Sequence, residues 1–146
     1  MPEFDAIRDD YLALDEAEDR YRLLIDLGRA LPPMPDALKT AATRVRGCSA
    51  DVWVYPVEAE GRLTFLADSN AHITKGIVAL IVTLVNGRSP RELVALDVEG
   101  ELAPFELSRQ LSANRTQGVP NMIALVRGTA GRLAGDALTT SATRVP

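Results

Sequence analysis

The sequence predicts an α+β fold, with a small antiparallel β-sheet of about three strands covered by helices. This prediction depends on the order of patterns along the chain, where a helix comes first, a β-hairpin second and further helices last. The chain has 146 residues, of which 47% are hydrophobic, so it is long and apolar enough to bury one core. We expect one domain over residues 1–134 and a disordered tail over residues 135–146.

The first part of the chain predicts a helix that begins near Tyr11 and ends near Gly28. Apolar residues recur there at spacings of three and four, as on one buried helix face. The proline-rich residues 31–35 then predict an extended connector, because proline lacks an amide donor and disfavours helix at the residue before it. A helical turn is predicted at residues 36–43.

A β-hairpin follows, with strands at residues 52–57 and 62–67. Both segments are rich in β-branched and aromatic side chains, and the turn-like residues 58–61 separate them. Residues 43–46 could supply a short preceding strand. Pro56 predicts a sheet edge or an irregularity, because proline cannot donate to a strand ladder.

The longest helix is predicted at residues 71–86, with three possible N-caps at residues 68–70. Its apolar residues cover so much of the circumference that we expect it to be the core helix. Ser89 and Pro90 are typical of a second, short helix start. A loop is predicted at residues 97–103.

A final helix is predicted to begin after Ser112 and to run toward Arg132. Gly118 and Pro120 predict a break in it, so that its main part begins near Pro120.

Composition excludes several classes of function. The chain carries 16 Lys and Arg against 20 Asp and Glu, a net charge of −4, which argues against nucleic acid as the main partner. A single Cys excludes an internal disulfide and an all-thiolate zinc site or cluster within one chain. The longest apolar stretch, residues 76–85, is too short to cross a bilayer, and the acidic N-terminus does not resemble a secretion signal. We therefore expect a cytoplasmic protein without a metal site or a membrane partner.

The single cysteine, Cys48, is a candidate nucleophile. It is predicted to lie in a loop beside Gly47, which permits an unusual backbone angle. Arg44 and Arg46 would favour the reactive thiolate, and Asp51 would oppose it if it lies close. A small buried cysteine beneath the hairpin is an equally open interpretation.

Four other residues are weaker candidates by themselves. His72 is the only histidine and so the only available dyad partner for Cys48. Asp68 is typical of a helix cap and Lys75 of a solvated helix face. Arg115 is predicted in the first turn of a helix, where the macrodipole disfavours a cation.

Several segments together resemble the SufE family of sulfur acceptors. They are RYRLLIDLG at 20–28 followed by LP at 31–32, VRGC at 45–48 leading into VWV, DSNAHITKG at 68–76, and LSANR at 111–115 followed by Gly118 and Met122. The resemblance implies the fold shared by SufE and the IscU scaffold proteins. It also implies that Cys48 accepts a persulfide sulfur, and that Gly47, Asp68, Lys75 and Arg115 support its loop or the partner surface.

The resemblance implies a persulfide carrier and desulfurase activator rather than an autonomous enzyme. The donor would be a PLP-dependent cysteine desulfurase like SufS or CsdA, and the PLP belongs to that partner, so no cofactor is expected here. The recipient would be an iron–sulfur scaffold complex like SufBCD. The carrier itself is expected to be a monomer when free. One thiol suffices for this relay, because sulfur moves by thiolate attack.

The chain departs from the family pattern at a few positions. Ser49 and Ala50 stand where the family commonly has Gln-Ser, Gln110 stands where a His is frequent, and Ala113 replaces the usual Pro. Two alternatives stay open at this point. One is a non-catalytic binding module with an IscU-like surface, in which Cys48 is structural. The other is a thiol enzyme that uses Cys48 and His72.

Overall fold

A computed structural model describes residues 3–47, 50–107 and 118–143, with side chains described as far as Gly135. The described α-helices are α1 (Phe4–Ala13), α2 (Ala17–Ala30), α3 (His72–Val85), α4 (Pro90–Ala95), α5 (Val98–Leu102) and α6 (Gly118–Thr143). The strands are β1 (Val52–Ala59) and β2 (Arg62–Ser69), and short 3-10 helices lie at Asp36–Leu38 and Ala103–Phe105. The predicted α+β class is confirmed.

Strands β1 and β2 form the antiparallel hairpin, in register from Val52 opposite Ser69 to Ala59 opposite Arg62. Glu60 and Gly61 both have positive φ, as a two-residue turn that matches the strand twist requires. Alternate residues on one face of the sheet are buried, whereas most of the other face is partly or fully exposed.

The predicted third strand is reduced to a single bridge, between Arg44 and Trp53. The amide of Val45 donates to the Val52 carbonyl at 2.8 Å, and the amide of Val54 donates to the Thr43 carbonyl at 2.8 Å. These bonds end before Pro56, which cannot donate to a ladder. On the other side, residues 86–88 cover the outer edge of β2. Gly87 and Arg88 exchange backbone hydrogen bonds with Leu63, and Asn86 Oδ1 accepts the Phe65 amide at 2.8 Å.

Helix α3 is the core helix, as predicted. Ten of its residues are buried, and it packs between the inner face of the sheet and α2. The backbones of α2 and α3 approach closely where Gly28 meets Gly76. A Cβ on Gly28 would lie 2.8 Å from the Gly76 nitrogen, and a Cβ on Gly76 would overlap the Leu24 carbonyl oxygen.

The N-terminal region differs from its prediction, because it contains two helices rather than one. The chain is extended between Ala13 and Ala17, and Arg20 Nε donates to the Leu14 carbonyl at 2.8 Å across this break. Acidic residues at the start of α2 favour a new helix N-terminus there. Tyr11 on α1 donates its hydroxyl to the Phe105 carbonyl at 2.8 Å, which joins α1 to the later part of the chain.

The C-terminal half partly confirms its prediction. Ser89 Oγ accepts the Glu92 amide at 3.2 Å, and Pro90 is the first residue of α4, as expected. The prediction of a loop at residues 97–103 is wrong. Asp97 Oδ1 accepts the Gly100 amide, and this cap begins the short helix α5. Pro120 lies in the first turn of α6, where proline is tolerated. This helix continues to Thr143, through most of the segment predicted as a disordered tail.

Candidate functional site

The single cysteine belongs to the connection that enters the hairpin at the start of β1. Cys48 and Ser49 lie outside the described residues, and so do Gln110, Ala113 and Arg115. The main chain on both sides of Cys48 is described. Because the amide of Val45 is bonded to the Val52 carbonyl, residues 46–51 form a connection whose two ends are held together.

Asp51 and Asn70 fix the C-terminal end of this connection. The Asp51 amide donates to Asn70 Oδ1 at 3.0 Å, Asn70 Nδ2 donates back to Asp51 Oδ2 at 3.2 Å, and the Asn70 amide donates to the Asp51 carbonyl at 3.2 Å. Arg44 adds an ion pair of 2.6 Å to Asp51 Oδ1. The Arg44 charge is therefore largely balanced by Asp51, whereas Arg46 is exposed two residues before Cys48.

Gly47 and Asn121 meet at the N-terminal end of the same connection. Gly47 has φ of +81°, a left-handed conformation that side chains disfavour. Asn121, in the first turns of α6, donates its side-chain amide to the Arg46 carbonyl at 2.6 Å. The predicted unusual backbone angle at Gly47 is confirmed, and a Cβ at this position would overlap Asn121 Nδ2.

Asp68 lies on β2 between two lysines. Its carboxylate contacts Lys39 Nζ at 2.8 Å and Lys75 Nζ at 3.2 Å, and it accepts the Ser69 amide at 2.8 Å. Only 13% of the Asp68 side chain is exposed. The Lys39 ammonium also lies 5.6 Å from the ring centroid of Trp53, which pairs with Asp68 across the strands. This lysine–aspartate–lysine cluster therefore lies close to the Asp51–Asn70 contact, at the same end of the hairpin.

The cluster corrects two interpretations of single residues. Asp68 does not cap α3, whose N-cap is Ala71, and Ser69 Oγ accepts the Ala71 amide instead. Lys75 is not a fully solvated helix residue, because it pairs with Asp68. His72 is the first residue of α3 and is exposed.

The electrostatics of the cluster favour its ionised state. Burial raises the pKa of Asp68, but the hydrogen bonds from Lys39, the Ser69 amide and Lys75 outweigh burial and leave its pKa below the usual value. The hydrogen bond to Asp68 raises the pKa of Lys39 above its usual value. Because its pKa is lower in the folded state, Asp68 stabilises the fold above its unfolded-state pKa, and this contribution is lost as pH falls through the folded-state pKa.

We predict that Asp68→Asn lowers the free energy of unfolding by about 1–2 kcal/mol at pH 7, since charge-assisted hydrogen bonds are lost from a largely buried site. The difference from the unsubstituted protein should shrink as pH falls from the unfolded-state pKa of Asp68 through its lower folded-state pKa, where the folded protein takes up the proton. Urea unfolding at pH 7 and across this acid range measures it.

Asp36→Asn is the matched control for this prediction. Asp36 contacts the same Lys39 at 3.3 Å, but its side chain is 97% exposed. An exposed pair contributes little, so we expect a change within about 0.5 kcal/mol. An Asp68→Asn effect that stayed constant from pH 7 to the acid range would contradict the assignment to an ionised cluster.

Sequence reasoning missed two residues of this site. Lys39 follows a 3-10 turn and Asn121 lies in a long helix, and neither belongs to a motif that pointed to Cys48. Only the three-dimensional contacts bring them there. Among the described residues, no group of three or more His, Cys, Asp or Glu could hold a metal ion. Within that same part of the chain, no helix is both long enough and apolar enough to cross a bilayer.

The fold and the site define a class of small α+β proteins with one thiol in a connection anchored at the end of a hairpin. A family model described as "SufE: Fe-S metabolism associated domain" matches residues 5–130. The chain therefore belongs to the SufE family, which associates it with iron–sulfur metabolism.

Two curated relatives agree with this membership. An uncharacterized SufE-like protein of Rhizobium meliloti (strain 1021) is 37% identical over 139 residues, covering 91% of this chain and 99% of the relative. The sulfur acceptor protein CsdE of Escherichia coli (strain K12) is 40% identical over 119 residues, which are 79% of each chain.

A solved structure supports the fold independently of sequence. The solution structure of a hypothetical protein from Thermus thermophilus matches with a TM-score of 0.71 at 17% identity, covering 90% of this chain and 95% of the other. This likeness concerns the fold alone.

Proposed function

We propose that this protein accepts a persulfide sulfur at Cys48 from a PLP-dependent cysteine desulfurase like SufS or CsdA. The observation that carries the proposal is the anchoring of residues 46–51, where Val45, Asp51 and Asn121 hold both flanks of the only cysteine in the chain. Membership of the SufE family and the likeness to a relative named a sulfur acceptor support it.

The transfer needs no outside oxidant or reductant. The Cys48 thiolate attacks the terminal sulfur of the desulfurase persulfide and forms a new sulfur–sulfur bond. The old sulfur–sulfur bond breaks, and the desulfurase cysteine leaves as a thiolate. Cys48 then holds the persulfide, and removal of the product lets the desulfurase turn over again. The PLP chemistry takes place in the partner.

A second exchange would deliver the sulfur to an iron–sulfur scaffold complex like SufBCD. A single thiol suffices for both steps, because each one is an attack on a sulfur atom that becomes the next donor. We expect the carrier to act in the cytoplasm, where thiols stay reduced, and to be a monomer when free.

Other residues of the site would act on the loop or on the partner surface. Gly47 allows the backbone turn before Cys48, and the cluster of Lys39, Asp68 and Lys75 stiffens the end of the hairpin near it. Arg115 carries over from the family pattern and is assigned to the partner surface on that ground.

The decisive experiment incubates the protein with a cysteine desulfurase, PLP and cysteine, and then measures the intact mass without reductant. We expect a gain of one sulfur atom, which dithiothreitol removes, together with faster release of alanine by the desulfurase. Neither a mass gain nor faster alanine release would refute the carrier assignment. A persulfide formed with peroxide and sulfide, but not with the desulfurase, would instead favour the Cys48 thiol-enzyme interpretation.

A further inference from the structure

The structure joins the last helix to the cysteine segment through one side chain. Asn121 lies on α6, 75 positions along the chain from Arg46, and its Nδ2 donates to the Arg46 carbonyl at 2.6 Å. The carbonyl belongs to the residue before Gly47, so the bond acts on the main chain that leads into Cys48. Neither the family description nor the names of the relatives assign a role to this position.

The backbone of Gly47 makes room for the Asn121 side chain at this contact. Gly47 has φ of +81° and presents no side chain, which leaves room for the Asn121 amide, and a methyl group would overlap Nδ2. A left-handed residue is otherwise free to relax toward other conformations that glycine accepts. The hydrogen bond to the preceding carbonyl opposes that relaxation, because the carbonyl is part of the Arg46–Gly47 peptide plane.

The other anchors act at different places. Val45 pairs with Val52 inside the sheet edge, and Asp51 is held by Asn70 after the cysteine. Asn121 acts between them, on the N-terminal side of Cys48 and from a separate element.

We propose that Asn121 is a positioning residue that sets the backbone before Cys48 in the conformation that the desulfurase binds. This inference rests on the proposed function. A segment that is already ordered loses less conformational entropy when the desulfurase binds it. Replacing Asn121 should therefore weaken the apparent affinity for the desulfurase and leave maximal stimulation unchanged.

Two variants separate hydrogen bonding from packing. Asn121→Ala removes the side chain, whereas Asn121→Asp keeps its shape but replaces the amide donor with a carboxylate that repels the Arg46 carbonyl. A negative charge near the start of α6 is favourable to the helix, so Asn121→Asp should not weaken the fold. Arg132→Ala, an exposed substitution later on α6, is the control.

The first measurement is amide hydrogen exchange of the isolated protein, read on a peptide that covers residues 44–52. Loss of one hydrogen bond should speed exchange there by roughly 2- to 10-fold in both Asn121 variants and not in the control. Unchanged exchange in both variants would overturn the proposal. So would faster exchange in Asn121→Ala alone, because packing would then be the cause.

The second measurement titrates each variant against a cysteine desulfurase. We expect the half-saturating concentration to rise by roughly 2- to 10-fold in both Asn121 variants, with maximal stimulation and melting temperature close to those of the unsubstituted protein. If maximal stimulation fell while the half-saturating concentration stayed unchanged, Asn121 would not be a positioning residue. If the unsubstituted protein takes up no sulfur, the sulfur-acceptor proposal fails, while the exchange measurement still decides whether Asn121 orders residues 46–47.

Discussion

Replacement of Cys48 by Ser should reduce sulfur uptake by this protein to zero and return the desulfurase to the rate it has alone. A thiol is partly ionised near neutral pH, and its thiolate is the attacking species, whereas a serine hydroxyl does not ionise in this range. Because the chain has one cysteine, every sulfur atom that it gains as a persulfide must reside at Cys48. The intact mass therefore reads the site directly, without peptide mapping.

The same variant distinguishes the carrier from a binding module. A folded Cys48→Ser protein that binds the desulfurase but gives no stimulation supports the carrier. If stimulation survives the replacement in full, the protein acts through its surface, and the binding-module interpretation would stand. Circular dichroism and a binding titration of the variant provide the control for folding and docking.

Gly76→Ala should destabilise the protein by about 2–4 kcal/mol, because overpacking at a rigid contact exceeds the gain in helix propensity. The new methyl group would overlap the Leu24 carbonyl oxygen and lie 2.6 Å from the Leu24 carbonyl carbon. Both atoms are backbone, so relief requires that α2 and α3 move apart. The midpoint of chemical unfolding measures the loss.

Gly128→Ala is the matched control for Gly76→Ala. Gly128 also lies within a helix, but a Cβ there meets nothing within 4 Å. We expect it to stabilise the protein by about 0.5–1 kcal/mol, through helix propensity alone. If Gly76→Ala behaved like this control, the close approach of α2 and α3 would not limit the packing of the core.

The fold could be predicted where one local pattern decides an element. The apolar stripe of α3, the β-branched hairpin strands and the Ser89-Pro90 helix start each have a local cause, and each prediction is confirmed. The break near Leu14 and the capped α5 were missed. The apolar periodicity of the first helical segment continues through the break near Leu14, so the sequence does not show it. Helix α5 has only five residues and is too short to show a period.

Gly28 and Gly76, the two glycines of the family-like segments, have a packing role that only the structure shows. Gly28 and Gly76 end two segments that resemble the SufE family, and the pattern alone assigned a role only to Gly28, as a helix stop. The structure places them face to face, which explains why neither position accommodates a side chain. Contacts between residues far apart along the chain, such as Lys39 with Asp68 or Asn121 with Arg46, left no periodic signal to find.

The only tryptophan of the chain is placed to act as an optical reporter. Trp53 lies beside Asp68 in the sheet, near the Lys39 ammonium and across from Arg44 in the bridge next to the cysteine segment. Indole emission responds to nearby charge and to solvent. Intrinsic fluorescence should therefore follow both protonation of the lysine–aspartate–lysine cluster and the arrival of a partner, with no dye attached to the thiol under study.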